Sequence, residues 1–170
     1  MKTKILFEEV QKQNQKWIWF LILALDATFL ITFIQEKVLN IPLNQEVLPV
    51  WIYIIIFGTL SLVTIFLLFS KLKTKITEDT ISIQYTPIHR KAIEIKKEEI
   101  EDCYVRLYRP IAEYGGWGVR TAFNGKNGKA YNVSGKIGIQ LELKSGEKIL
   151  IGTQSAKLAE LALNQFKSAQ

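Results

Sequence analysis

The chain has 170 residues, of which 48% are hydrophobic, and its 22 basic against 16 acidic side chains give a net charge of +6. A single cysteine excludes an internal disulfide, and one histidine with three aspartates leaves little material for a metal site or for paired-carboxylate catalysis. The apolar residues are concentrated in two runs, which indicates a membrane protein rather than an ordinary soluble domain.

Residues 1–16 precede the first run and carry four lysines against two glutamates. Leu6, Phe7 and Val10 lie close to helical spacing and predict a small apolar patch. Such a patch suits either a helix on the membrane surface or a frayed extension of the first apolar helix. We therefore expect a short cytosolic tail.

The two apolar runs, at about 17–35 and 49–70, predict a transmembrane helical hairpin over residues 17–70. At 1.5 Å per residue each run is long enough to cross a hydrocarbon core of about 30 Å. Lysines flank the outer ends of the hairpin, whereas the connecting loop has only Lys37. The positive-inside rule then predicts a multi-pass protein of the cell membrane with both termini in the cytoplasm. No small-residue cleavage site follows the first run, so a cleaved signal peptide is not expected.

Asp26 falls in the middle of the first run, where a carboxylate costs roughly 2.5 to 3.5 kcal/mol on insertion scales. Thr59 and Ser61 lie at about the same depth on the second run and predict a hydroxyl pairing with Asp26. Structural pairing, helix association and a proton or cation site all remain open for this residue. A further alternative makes the chain an accessory subunit of a membrane transporter complex, with Asp26 facing another protein.

From Lys71 onward the apolar residues alternate with polar ones, as in half-buried antiparallel strands. Turn sequences such as Ser145-Gly146 separate these segments. A helical period then returns, with an apolar face predicted from Leu158, Leu161, Ala162 and Phe166. Residues 71–170 thus predict a mainly β (α+β) domain, a half-open barrel of about seven antiparallel strands capped by a C-terminal helix.

The glycine-rich segment from Tyr114 to Arg120, the segment 130–135 and the strand–turn–strand–Gly-Thr–helix pattern over 138–153 together resemble the bacterial pleckstrin-homology-like domains that follow two membrane helices. The resemblance covers roughly residues 71–168. It implies a pleckstrin-homology-like barrel at the cytoplasmic face of a bacterial inner or plasma membrane, and it implies little biochemistry.

The candidate contact residues are basic or aromatic. Lysines close to the bilayer each contribute about 1 kcal/mol against an anionic leaflet. Arginines extend this surface, and the glycine-flanked aromatic residues suit a partner-facing loop as well as core packing. The full set is Lys71, Lys73, Lys75, Arg106, Arg109, Tyr114, Trp117 and Arg120.

No nucleotide-binding, metal-binding or catalytic motif accompanies these residues. Seven of the ten glycines fall in the segment 115–138, where turns and bulges explain them better than a phosphate loop, and Cys103 is predicted to be buried. We therefore expect no enzyme and no cofactor, and no nucleic acid as partner. The expected function is non-catalytic protein assembly or scaffolding, through a protein partner or a homo-oligomer. The alternative is binding of anionic lipid headgroups.

Overall fold

The computed structural model describes residues 4–13, 15–41, 48–122, 125 and 127–168. The chain divides into two compact units, one formed by residues 14–68 and the other by residues 1–13 together with 69–170. We call the second unit the module and describe each unit by itself.

The first unit contains two apolar helices, α1 (Lys16–Phe33) and α2 (Val50–Phe69). A π-helical stretch, Ile34–Val38, continues α1, so the first candidate membrane span runs from Lys16 to Val38. The mean hydropathy is 2.1 for this span and 2.6 for α2. Both are long and apolar enough to cross a membrane, which confirms the two helices expected from the apolar runs. The central part of the loop between them, residues 42–47, lies outside the described residues.

The module contains nine strands in its described part. They are β1 (Ile5–Lys12), β2 (Lys71–Thr77), β3 (Thr80–Thr86), β4 (Ile93–Lys96), β5 (Ile100–Leu107), β6 (Gly118–Thr121), β7 (Lys129–Asn132), β8 (Ile137–Leu143) and β9 (Lys148–Gly152). Two helices complete it, the short α3 (Pro110–Tyr114) and the C-terminal α4 (Ala156–Ser168).

The helical prediction for the N-terminal segment is wrong, because Ile5–Lys12 forms strand β1 and belongs to the module. β1 pairs antiparallel with β2, and the register joins Lys12 to Lys71 and Val10 to Lys73. Phe7 and Gln11 point into the module and Val10 points outward, so the apolar residues that fitted a helix also fit a strand. The segment 13–70, which contains both apolar helices, is therefore an insertion between two paired strands.

The strands form two sheets around a main hydrophobic core, and a second, smaller cluster lies beside sheet B, formed by Tyr108, Tyr114, Ala122, Ala130 and Leu150. Sheet A has the order β1-β2-β3-β4, and sheet B has the order β5-β8-β9-β7-β6, in which β7 and β9 run parallel. The mainly β prediction is thus confirmed, with more strands than expected. The described strands make two separate sheets and not a closed antiparallel barrel.

Helix α4 packs on this core through Ala159, Ala162, Leu163 and Phe166, which follow the i, i+3, i+4, i+7 spacing of one helix face. The predicted face was correct for Ala162 and Phe166 and wrong for Leu158 and Leu161, which are exposed. Cys103 is buried at 2% exposure, as predicted. Burial raises the pKa of its thiol, so it behaves as a small core residue.

The β1 strand also fixes the start of α4. The Glu9 carboxylate accepts hydrogen bonds from the Thr153 hydroxyl at 2.8 Å and from the Gln154 backbone N–H at 3.0 Å. The Gln11 amide donates to the Gly152 carbonyl at 2.6 Å. A strand from before the apolar helices thereby holds the end of β9 and the beginning of α4.

Candidate functional site

The three lysines of β2 share the outer face of sheet A. Lys71, Lys73 and Lys75 alternate along the strand with buried Leu72 and Thr74. Lys71 is directly opposite Lys12 of β1, and Lys73 forms an ion pair of 2.9 Å with Glu8. The three β2 lysines of the predicted contact set therefore lie in a row on one face of the sheet. In the described residues, only Lys73 forms an ion pair with an acid.

Arg106 is not available to a ligand, because its guanidinium is already in a network of four hydrogen bonds. It donates to the Gln140 amide oxygen at 2.9 Å, to the Glu113 carboxylate at 2.9 Å, to the Tyr114 hydroxyl at 3.3 Å and to the Leu107 carbonyl at 3.2 Å. The contacts tie α3 to sheet B. The structure therefore brings Arg106 and Tyr114 together as structural partners.

Glu113 is the acidic member of this network. Burial opposes its charge, but the hydrogen bonds from the Arg106 side chain and from the Arg109 backbone N–H hold the pKa of Glu113 below its usual value of 4.5. Burial likewise raises the pKa of Tyr114, and it raises that of neighbouring Tyr108 to about 12. The tyrosines therefore stay neutral, while Glu113 is ionised at neutral pH.

Because the folded-state pKa of Glu113 is lowered, its contribution to stability is complete above about pH 4.5 and is lost as the pH falls through the folded-state value. We expect the wild-type module to have a higher thermal midpoint than Glu113→Gln at pH 7. The difference should narrow steadily below pH 4.5. Thermal unfolding of both proteins across this pH range measures it, and a difference independent of pH would contradict the role given to the ionised carboxylate.

The other two arginines do not join Arg106. The side chain of Arg109 is exposed just before α3, and Arg120 is exposed on β6, where its Nε donates to the Trp117 carbonyl at 3.1 Å. The half-buried Trp117 ring is fastened by a hydrogen bond of 3.2 Å from its Nε1 to the Gly135 carbonyl. The structure therefore shows no contact among the three arginine side chains in its described residues.

The intramembrane polar residues are also not brought together. The Thr59 hydroxyl donates to the Ile55 carbonyl of its own helix at 2.8 Å, and Thr59 and Ser61 are exposed on the surface of α2. Asp26 is half-buried, and in the described residues it has no hydrogen bond to either hydroxyl. The predicted pairing within the hairpin is not present.

A different polar contact, which sequence reasoning missed, joins the two apolar helices. Tyr53 of α2 donates a hydrogen bond of 2.8 Å to the Glu36 carboxylate on the π-helical stretch, and both residues are buried. The Phe33 ring meets the Tyr53 ring edge to face at 5.3 Å. The sequence signal that could have predicted this contact is a carboxylate just after the first apolar run and a tyrosine near the start of the second, since these two ends meet in a hairpin.

One end of the module is the place where the chain leaves for α1 and returns from α2, and we call it the connector end. Lys12 and Lys71 are paired there, and Thr86 at the end of β3 is the next partner of Lys71. The connection 87–92 between β3 and β4 therefore begins at this end. His89 in that connection lies edge to face with Tyr131 of sheet B, at 5.6 Å between ring centroids.

Sheet B contributes to the same end. The Gln11 amide contacts Gly152, the last residue of β9, and the Thr153 backbone N–H donates to the Ile137 carbonyl at 3.0 Å. Ile137 is the register partner of Leu107, the last residue of β5. The connector end thus includes the segments that follow β3 and β5 and the segment that precedes β8.

The two ends of the module differ in charge. At the connector end, six exposed bases have no ion pair with any described acid, namely Lys12, Lys71, Arg90, Lys91, Arg109 and Lys136. The opposite end carries acids in its turns and at the start of β5, namely Glu78, Asp79, Glu98, Glu99, Glu101 and Glu147, but Lys97 and Lys144 lie among them and Glu147 is paired with Lys129 at 3.0 Å. This polarity is visible only once the strands are ordered, since the charges are mixed along the sequence.

A cleft of about 800 Å³ lies at this opposite end, between α4 and the start of β5, and its lining contains four acids and four lysines. Lys167 pairs with Asp102 at 2.7 Å, and the Lys97 ammonium donates to the Phe166 carbonyl and lies 5.1 Å from the centre of the Phe166 ring. Among the described residues there is no cluster of side chains suited to hold a metal ion.

Gly128, in the glycine-rich segment, has a local structural reason. Gly128 has φ +67°, and a Cβ atom added there would lie 1.9 Å from the Lys148 carbonyl oxygen. Only glycine fits such a close approach of two backbones.

Comparison of the chain with protein-family models, with curated proteins and with solved structures finds no match in any of the three. The functional argument therefore depends on the geometry of the chain itself.

Proposed function

We propose that the protein is a membrane-anchored, non-catalytic module that acts in protein assembly or scaffolding at the cytoplasmic face of the membrane. The observation that carries the proposal is the register of Lys12 with Lys71, which makes both apolar helices an insertion between paired strands. The four-strand and five-strand sheets with a terminal helix are compatible with a variant of the pleckstrin-homology-like fold.

The connectors between the module and the apolar helices are short. Residues 13–15 separate β1 from α1, and Ser70 alone separates α2 from β2. Extended chain reaches at most about 14 Å over the first connector and about 7 Å over the second. If α1 and α2 cross the bilayer, the module is confined to its surface, where a high effective concentration makes weak contacts with other membrane proteins sufficient.

The outer face of α4 best suits a protein partner. Leu158 and Leu161 are one turn apart and are 61% and 60% exposed, on a face whose other residues are polar. Apolar side chains at this spacing are the anchors by which a helix packs on another protein. We expect them to contribute most of the binding energy of an assembly.

The mass of the full chain, extracted from membranes in mild detergent, tests this proposal. We expect a complex larger than the 19.5 kDa monomer, and we expect Leu158→Ser with Leu161→Ser to reduce it to the monomer. Asn164→Ala, on the same exposed face, is the matched control and should leave the complex intact. A monomer in all three proteins would contradict the assembly role.

Binding of anionic lipid headgroups is the second candidate, and the charge polarity of the module favours it. If α1 and α2 cross the bilayer, the short connectors keep the connector end near the membrane surface, and this end carries the six unpaired bases. Each base near an anionic surface contributes about 1 kcal/mol. Because α1 and α2 would hold the full chain in any bilayer, the test is the rate at which trypsin cleaves the module at these exposed bases in reconstituted vesicles. We expect slower cleavage in phosphatidylcholine with phosphatidylglycerol than in phosphatidylcholine alone, and equal rates would contradict this candidate.

A further inference from the structure

Three large apolar side chains project from the connector end of the module. Leu107 is 75% exposed and Ile111 is 68% exposed, the two highest values among large apolar residues in the described part of the module. Ile88, in the connection between β3 and β4, is 50% exposed. All three lie on segments that the strand order places at the end where the chain joins the apolar helices.

The local structure explains why these side chains are not buried. Leu107 continues the inward-facing positions of Cys103 and Val105, but it is the last residue of β5 and lies beyond the core. Ile111 is in the first turn of α3, whose Pro110 and Tyr114 face the module instead. Ile88 follows Pro87 at a reversal of the chain. No described core residue covers them.

Exposed bases accompany the apolar residues on the same segments. Arg90 and Lys91 follow Ile88, and Arg109 lies between Leu107 and Ile111. The only acid on these two segments, Glu113, is neutralised by its pair with Arg106 at 2.9 Å. Apolar residues beside unpaired bases are the combination that binds the interface of an anionic membrane.

We propose that Ile88, Leu107 and Ile111 insert into the interfacial layer of an anionic leaflet, with Arg90, Lys91 and Arg109 against the lipid headgroups. This inference rests on the proposed membrane anchoring and adds a second membrane contact to it. The contact fixes the orientation of the module, since the apolar residues occupy two separate segments and both must meet the same surface. The opposite end, with the turns of Glu78 and Glu98, then faces away from the membrane.

Fluorescence of a label at single positions of the full chain tests this contact. Cys103 is first replaced by alanine, and a polarity-sensitive dye is attached to Leu107→Cys or Ile111→Cys in vesicles of phosphatidylcholine with phosphatidylglycerol. We expect blue-shifted emission and quenching by lipids that carry a spin label near the headgroup. Lys144→Cys, an exposed position in the turn between β8 and β9 at the opposite end of the module, is the matched control and should show neither effect.

A label at Leu62→Cys, an exposed position near the middle of α2, reports separately on the anchor, with quenching there by lipids whose spin label lies deep in the acyl chain. Quenching at Leu62 together with water-like emission at both Leu107 and Ile111 would overturn the second contact and leave the anchoring intact. Absence of quenching at Leu62 would overturn the anchoring itself, and the second contact with it. Equal blue shifts in vesicles of phosphatidylcholine alone would overturn the part assigned to Arg90, Lys91 and Arg109.

Discussion

Replacing Phe7 with alanine is expected to destabilise the module by about 3 kcal/mol, although Phe7 lies far in sequence from the rest of the module core. Phe7 is 7% exposed and belongs to the same core cluster as Leu72, Ile139 and Phe166. Removing its ring leaves a cavity that the flanking strands cannot fill, because β1 is held in place by its pairing with β2 and by the contacts of Glu9 and Gln11.

Labelling of the Cys103 thiol in denaturant measures this effect in the full chain. Cys103 is the only cysteine and is 2% exposed, so it reacts only when the module opens. We expect Phe7→Ala to shift the labelling midpoint to markedly lower denaturant. Glu8→Ala, which removes an exposed ion pair with Lys73, should change the midpoint little. Equal midpoints for wild type and Phe7→Ala would show that the N-terminal segment is not part of the core.

Replacing Arg106 with leucine is the second large expected effect, a loss of about 2 kcal/mol in the free energy of unfolding. The substitution leaves Glu113 and the Gln140 amide oxygen without their main partner, and it removes the link from sheet B to the Tyr114 hydroxyl. The Arg106 and Glu113 side chains are 23% and 21% exposed, so water compensates part of the loss.

Arg109→Leu is the matched control, because Arg109 is exposed and its guanidinium has no partner in the described residues. We expect this change to alter stability by less than about 0.5 kcal/mol. Denaturant unfolding followed by Cys103 labelling compares the two variants. If both arginines proved equally dispensable, the network around Arg106 would not be what holds α3 on sheet B.

The local elements were predictable from the sequence where one period dominates. The two apolar helices and strands such as β3 and β8 have unambiguous patterns, and Cys103 follows the inward positions of its strand. The segment Ile5–Lys12 is different, because its eight residues are too few to show one period and fit a helix or a strand equally well. Its partner strand β2 comes after both apolar helices in the chain, and the local sequence contains nothing that predicts pairing over such a distance.

The candidate site was predicted in part for a related reason. Alternation along β2 places its three lysines on one face without further information. The sequence does not reveal that the Arg106 guanidinium is hydrogen-bonded to Glu113, Gln140 and Tyr114, since these contacts join β5, β8 and α3. Leu107 also has the position of a core residue in the alternating pattern of β5. It is nevertheless exposed, because β5 ends there and the core does not extend beyond it.

Excision of the hairpin tests the central claim most directly. Residues 13–70 are removed, and Lys12 is joined to Lys71 by an Asn-Gly turn, which suits a tight connection between antiparallel strands. We predict a soluble, cooperatively folding module in which amide contacts in solution place Val10 opposite Lys73, as in the full chain. An excised protein that is unfolded, or that folds with residues 5–12 unpaired, would contradict the view that the apolar helices are an insertion into an otherwise complete module.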